Sequence, residues 1–242
     1  MKKILTFLLG VSLLPLTGHA EQFWSDNSLS VLYGGNYKMI PYGKDSEAGT
    51  MTLEHVSGHS WGGVFLFVDR IRTKDDPYTE TYGEFSPSFY LKKFDDSFVK
   101  SVNAEFTYEF GASAGMNQDN VLAGIGFDLD IPGMDFFKAT VYHAWDQSDS
   151  FGRSQDDQLT LSYGWHHGQF NIDGFLDFTP SKGSNHKATE LNFTPQITYD
   201  FGPMLGLKNK VKVGVEYAYW KNKFGVQGQN QNNLSLLLKW HL

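Results

Sequence analysis

The 242-residue sequence predicts an all-β protein, an antiparallel transmembrane β-barrel of about 12 strands. Three observations support this fold class: apolar and polar residues alternate with period two in many segments, the connections between these segments alternate in length, and the last segment has one strongly apolar face. Period two is the periodicity of a β-strand with one apolar and one polar face. No long segment of the exported chain shows the period of a helix.

The N-terminus has the pattern of a secretory signal peptide. Two lysines precede an apolar run over residues 4–16, and small residues follow up to Ala20. An anchoring helix is the alternative, but the run is short for a bilayer span and Pro15 interrupts it. We therefore expect residues 1–20 to be removed and residues 21–242 to form one exported barrel domain.

Twelve segments show the period-two pattern, and many of them are long enough to cross a bilayer as tilted strands. No segment of the exported chain approaches the roughly 18 consecutive apolar residues of a membrane helix. No linker or change of composition divides the chain, which indicates one domain. The segments cover residues 27–34, 50–57, 61–71, 79–91, 97–110, 119–129, 135–145, 157–166, 169–179, 189–200, 210–220 and 231–242.

The connections between these segments alternate in character. The first is the long polar stretch GNYKMIPYGKDSEAG and the second is the short SGHS, and this order continues along the chain with small exceptions. Outer-membrane barrels have both termini and their short turns in the periplasm, and their longer loops outside the cell. We therefore predict periplasmic termini, short periplasmic turns and longer extracellular loops, in a protein of the bacterial outer membrane.

The C-terminal segment supports the membrane barrel. Leu234, Leu236, Leu238, Trp240 and Leu242 share one face, and this ending resembles the C-terminal signal of bacterial outer-membrane proteins, with leucine in place of the usual phenylalanine. A soluble β-sandwich or barrel is the alternative. The strand lengths and the aromatic residues near strand ends disfavour that alternative, because such aromatics are typical of an interfacial girdle.

The composition excludes some classes of function. Without residues 1–20 the chain has 18 basic and 27 acidic residues, a formal charge of −9, and no basic stripe for nucleic acid. Residues 111–115 read GASAG, the G-x-S-x-G pattern of serine hydrolases around Ser113. That motif needs a strand-to-helix elbow, and another strand pattern follows here instead. We predict no enzyme, no cofactor and no metal site, with a hydrolase as a minor alternative.

The stretch WGGVFLFVDR over residues 61–70 is apolar on both faces of a strand. One assignment places Val64, Leu66 and Val68 toward lipid and the other face, which ends in Asp69, toward the lumen. The reverse assignment, or burial of both faces, is the alternative. The position of Asp69 in phase with two phenylalanines favours the first assignment.

Three blocks carry a resemblance to a known family: TLEH at residues 52–55, WGGVFLFVDR, and YGEFSP at residues 82–87. Together they resemble the signature of the Tsx/OmpK family of nucleoside-specific channel-forming outer-membrane proteins, most densely over residues 26–91. The resemblance implies a narrow, monomeric barrel of twelve strands in outer-membrane lipid, through which nucleosides pass. It also implies a receptor for bacteriophages or colicins, a role that members of this family have.

Alternation places aromatic and acidic side chains together on the predicted lumen face, which suits a solute with a flat base and a hydroxyl-rich sugar. The alternative for each aromatic residue is that it only fills a narrow barrel. The alternative function is a surface structural or receptor barrel with little selective transport. The predicted pore-lining residues are Phe65, Phe67, Asp69, Glu54, Tyr82, Glu84, Tyr90, Tyr142, Asp173, Phe175, Glu216 and Trp220.

Overall fold

The computed structural model describes residues 21–40, 42–74, 78–114, 116–148, 153–182 and 187–242. The predicted signal peptide, residues 1–20, lies outside the described residues. The described chain forms a closed barrel of 12 antiparallel strands in which each strand pairs with its neighbours in sequence and the last pairs with the first. This confirms the predicted fold class.

The strands are β1 to β12 in chain order. Their bounds are Gln22–Met39, Lys44–His59, Gly62–Thr73, Thr79–Lys93, Val99–Ser113, Met116–Leu129, Phe136–Ser148, Ser154–His167, Phe170–Thr179, Glu190–Asp200, Val211–Lys221 and Gln231–His241.

Pairing of β1 with β12 closes the barrel. Leu29 lies opposite Trp240 and Val31 opposite Leu238, and the register continues without a shift to Gly35 and Leu234. Closure leaves no edge strand, so every strand can satisfy its backbone N–H and C=O groups within the sheet. That condition is required of any β-structure surrounded by lipid.

The two faces of the wall differ in chemistry. Along β12 the leucines at 234, 236 and 238 and Trp240 are exposed on the outside, whereas Ser235 and Lys239 are buried inside. Serines, threonines, asparagines and carboxylates make up most of the buried side chains of the described residues. The apolar alternation therefore covers the outside of the barrel and the polar phase lines its interior. No helix within the described ranges is long and apolar enough to cross a membrane.

We call the end of the barrel that holds both termini the terminal end, and the opposite end the loop end. The strands extend further toward the loop end than the sequence predicted. β1 continues to Met39 and β2 begins at Lys44, so most of the stretch predicted as the first long connection is paired strand. Tyr37 and Met39 of this extension are buried on the inner side, but a register shift between Gly34 and Tyr37 breaks the phase, so the alternation of residues 27–34 does not continue in the sequence. Connections of ten residues occur at both ends, over 180–189 and 201–210.

Candidate functional site

The pairing register decides which face of β3 points inward. Residues directly opposite each other on neighbouring strands lie on the same face of the sheet. Buried Lys239 lies opposite Ser30, Ser30 opposite Thr52, and Thr52 opposite Asp69. Asp69 therefore shares the inner face with Lys239, and alternation places Phe65 and Phe67 on that face too.

The register places every other predicted site residue on the same inner face. Phe67 lies between Glu54 of β2 and Glu84 of β4, and Asp69 lies opposite Tyr82. The remaining residues are also in phase with inward-facing partners. These pairs are Tyr90 with Asn103, Tyr142 with Gly124, Phe175 with Thr194, Asp173 and Glu216 with Gln196, and Trp220 with Gln231. Their role in binding a solute stays a prediction.

Three aromatic rings form a continuous surface inside β3 and β4. The ring centroids of Phe65 and Phe67 are 5.7 Å apart, and those of Phe67 and Tyr82 are also 5.7 Å apart. The Tyr82 hydroxyl donates a 2.7 Å hydrogen bond to Glu84 Oε1. We call Phe65, Phe67 and Tyr82 the aromatic track. A flat solute could move along this surface while polar groups remain within reach on either side.

Beside the aromatic track lies a group of carboxylates held mainly by neutral donors. Glu84 lies directly opposite Glu109 across β4 and β5, and the charge of Asp177 acts on both. Asn120 donates to Glu109 over 2.9 Å, and Thr160 donates to Asp177 over 2.6 Å. Because carboxylates on directly opposite residues repel each other when both are charged, the group favours a solute that offers protons or positive charge.

Lys239, a buried lysine on β12, lies near carboxylates from strands on either side of β12 in the barrel. Lys239 Nζ is 3.7 Å from Glu54 Oε1 on β2 and 4.0 Å from Asp173 Oδ2 on β9. Gln196 adds a 2.8 Å hydrogen bond to Glu216 on β11. Lys239 thus brings Asp173 and Glu216 into one electrostatic network with Glu54, which lies beside the aromatic track.

Not all predicted site residues belong to this group. Tyr142 accepts a 3.4 Å hydrogen bond from Thr107, near a separate ion pair in which Lys138 is 2.8 Å from Glu105. Tyr90 lies toward the terminal end, with the Lys93 ammonium 3.7 Å from its ring centroid. The two tyrosines therefore mark a second region of the inner wall.

Trp220 lies at the loop end, next to a residue that the sequence analysis missed. Lys223 is 1% exposed, and its ammonium is 3.9 Å from the Tyr37 ring centroid and 5.0 Å from that of Trp220. It also donates to Gln231 Oε1 over 3.0 Å. Burial lowers the pKa of Lys223 to about 8, although the charges of Glu80 and Glu190 act in the opposite direction.

Two connections meet at this mouth of the barrel. The Ala188 amide donates to the Gly225 carbonyl over 2.8 Å, and the Phe224 amide donates to Glu190 over 3.0 Å. Lys187 pairs with Asp146 and Asp156 on the neighbouring wall. The sequence KNKFGVQGQ gave little sign of these contacts, because a polar loop has no period. The aromatic residues on either side of Lys223 were the one available signal.

The hydrolase motif does not form its elbow. β5 runs through Ser113 and β6 begins at Met116, so the motif lies at a strand-to-strand hairpin, while Gly115 is outside the described residues. In the described ranges no group of three or more histidine, aspartate or glutamate side chains has the geometry of a metal site.

Comparison with protein-family models and with curated proteins finds no match for this chain. Solved structures do match. The KdgM porin gives a TM-score of 0.51 at 8% identity, covering 88% of this chain and 98% of that chain. A KdgM porin in complex with disordered oligogalacturonate gives 0.52 at 10% identity, covering 88% and 98%. The NanC porin gives 0.54 at 16% identity, covering 88% of this chain and 100% of that chain.

At these identities the likeness concerns the fold. It agrees with the closed barrel of 12 antiparallel strands described above. The resemblance to the Tsx/OmpK family stays a prediction.

Proposed function

We propose that this protein is a passive channel of the bacterial outer membrane that passes nucleosides and similar neutral, hydroxyl-rich solutes. The observation that carries the proposal is the aromatic track on the inner face of a closed barrel, with Glu54, Asp69 and Glu84 beside it. The fold shared with two structures described as porins supports a channel in general. The Tsx/OmpK resemblance supports the choice of nucleosides.

The chemistry of a nucleoside matches the two kinds of side chain along this surface. Stacking of a base on an aromatic ring contributes roughly 1–3 kcal/mol and tolerates any base. The ribose hydroxyls can donate to carboxylate oxygens, which accept hydrogen bonds at several positions. Neighbouring rings on one strand give a series of similar weak sites, so the solute can leave as readily as it enters.

The charge of the interior disfavours anions. Among the inner-face residues described above, carboxylates outnumber amines, and Glu84 and Glu109 face each other directly. A lumen of this sign repels phosphates and uronates. One of the matched structures is a KdgM porin in complex with oligogalacturonate, which is a polyanion. We propose that the present barrel selects against such polyanions.

The test is the ionic current through the purified protein in planar lipid bilayers. We expect stepwise conductance that adenosine and thymidine reduce in a concentration-dependent way. Free ribose should reduce it less, because it lacks the base that stacks. Adenosine monophosphate and oligogalacturonate should reduce it less than the nucleosides do. Conductance that all five solutes affect equally would contradict selection by the aromatic track.

A second candidate function is a surface receptor for bacteriophages or colicins with little transport. Contacts between residues 187–190 and 222–226 join two connections at the loop end, and such a joined surface suits the binding of a large partner. A folded barrel that shows heat-dependent gel mobility but no conductance would support the receptor and overturn the channel. We propose a monomer in either case.

A further inference from the structure

The outer wall of β3 changes character near the loop end. Val64, Leu66 and Val68 occupy the outward phase first, and Arg70 and Arg72 continue the same phase. Both arginines are exposed. They are two of the three arginines in the whole sequence, in a chain whose formal charge is −7. We call Arg70 and Arg72 the arginine pair.

The described neighbours of the arginine pair form a hydrogen bond with Arg70 and neutralise neither charge. Arg70 Nη1 donates a 2.7 Å hydrogen bond to Thr81 Oγ1, and Arg72 lies opposite Thr79 on the same strand. Within the described ranges neither guanidinium has a carboxylate at ion-pair distance. Glu47, an acid on the neighbouring strand β2, already accepts from the Tyr33 hydroxyl and from Lys74.

The space beside the arginine pair is open. Arg72 lies opposite Gly49 on β2, and Gly49 lies opposite Tyr33 on β1. A Cβ atom added at Gly49 would meet only Tyr33 Cδ2 at 3.8 Å and a backbone oxygen at 3.9 Å. A tyrosine, a glycine and an arginine in line therefore leave a shallow recess on the outer wall, with guanidinium donors on one side.

We propose that the arginine pair binds the phosphate groups of lipid head groups where the apolar outer wall ends. This rests on the proposed membrane location. A guanidinium presents five donors in a planar fork that matches a phosphate, and it is less strongly hydrated than an ammonium. The apolar residues before it on β3 would contact acyl chains, so the head groups of the same lipids would reach the arginines.

Free phosphate is the other source of the same chemistry, and the geometry favours the lipid. Among the described residues the recess is shallow and exposed, and none of them forms an enclosing wall that could hold a small ion by itself. A lipid adds acyl-chain contacts along Leu66 and Val68 that a free ion lacks. Attraction of one basic residue to an anionic membrane surface corresponds to about 1 kcal/mol, or roughly a fivefold change in affinity.

The test is native mass spectrometry of the detergent-solubilised barrel with a diphosphorylated glycolipid such as lipid A, and with its dephosphorylated form. We expect the wild type to retain the phosphorylated form preferentially. Arg70→Gln with Arg72→Gln should reduce that retention by roughly fivefold per arginine removed. Lysine at both positions should give an intermediate result, because it keeps the charge and loses the fork. Lys208→Gln, at an exposed basic residue of the connection 201–210 at the terminal end, is the matched control and should retain the lipid as the wild type does.

Equal retention by the wild type and the glutamine double variant would overturn the proposal. So would preferential binding of inorganic phosphate with no retention of the lipid. Arg72→Gln alone keeps the Arg70–Thr81 hydrogen bond and guards against a general folding defect. Conductance, measured on the same preparations, should not change in the double variant because both residues lie on the outer wall. A wild type that conducts but shows no lipid preference would overturn the role of the arginine pair alone. A wild type that prefers the lipid but does not conduct would overturn the channel alone.

Discussion

Strands β3 and β12 differ in how clearly their side chains alternate between the two faces of the barrel wall. Along β12 exposure alternates sharply, from 71% at Leu236 to 2% at Leu237 and from 47% at Leu238 to 6% at Lys239. Along β3 the residues from Val64 to Asp69 are all half-buried, and both faces are apolar until Asp69. The alternation of β12 can be assigned to faces from its own sequence, whereas that of β3 needs its neighbours.

The neighbours also explain why β3 tolerates phenylalanines inside a polar barrel. Phe67 lies between Glu54 and Glu84 on the adjacent strands, so the polar groups of this part of the lumen come from β2 and β4. The interior is therefore polar around its circumference without being polar on every strand. This combination of rings and acids is what the proposed nucleoside channel requires.

The largest expected effect is on β12, where the faces are clearest. Leu238→Arg should destabilise the barrel by roughly 2–4 kcal/mol if the residue lies near the middle of the bilayer, because a charge there faces lipid. Lys239→Ala should cost much less, because its face is lined by polar groups. Folding yield into lipid vesicles and heat-dependent gel mobility measure both. Equal yields for the two variants would mean that the faces are wrongly assigned.

The sequence was sufficient for the barrel and its strand count, because apolar alternation carries that information. For β3 one in-phase aspartate favoured the inner face that the register of the neighbouring strands then assigned. The sequence did not predict the loop end. The register shift between Gly34 and Tyr37 breaks the phase of the β1 extension, and the β2 extension is polar or small on both faces, so their pattern does not separate strand from loop. Lys223 and Lys187 depend on contacts between distant connections, which local periodicity does not encode.

The next effect concerns the two faces of β3. Phe65→Ala with Phe67→Ala should weaken nucleoside block by roughly 1–3 kcal/mol for each lost stack. Ion conductance should stay the same or rise, because the lumen widens. Val64→Ala with Leu66→Ala removes apolar groups from the opposite face and should leave nucleoside affinity unchanged. Titration of the current with adenosine distinguishes these outcomes, and unchanged block in the double phenylalanine variant would remove the stacking role.

A smaller effect is expected where β12 begins, at the contact between Gln231 and Lys223. Burial lowers the folded-state pKa of Lys223 to about 8 from an ordinary value of 10.5. Between these values the unfolded chain binds more protons than the folded chain, so the stability contributed by Lys223 rises with pH. It is lowest below about pH 8, and the slope for one group is at most on the order of 1 kcal/mol per pH unit.

Lys223→Met should remove that dependence. Urea unfolding of both proteins at pH 7.5 and at pH 9.5, measured by tryptophan fluorescence, provides the comparison. The wild type should gain stability relative to the variant as the pH rises. An identical pH response of the two proteins would show that the folded-state pKa of Lys223 is not lowered.

The smallest effect concerns ion selectivity, to which the carboxylates beside β3 and the ammonium group on β12 should contribute with opposite signs. Glu54→Gln with Glu84→Gln should lower the preference for cations, and Lys239→Gln should raise it. The reversal potential in a salt gradient measures both. Both shifts should shrink in 1 M salt, where the screening length falls to about 3 Å. Shifts of the same sign in the two variants would contradict a shared lumen.

The inner face of β3 can be tested most directly by cysteine substitution, because the native chain contains no cysteine. Phe67→Cys and Leu66→Cys place a thiol on the two faces of the same strand. A cationic, water-soluble methanethiosulfonate is then added during recording of the bilayer current. If Phe67 lines the conducting pore, the reagent should change the current through Phe67→Cys and leave that through Leu66→Cys unchanged. A current that changes only in Leu66→Cys, or in neither variant, would contradict the account.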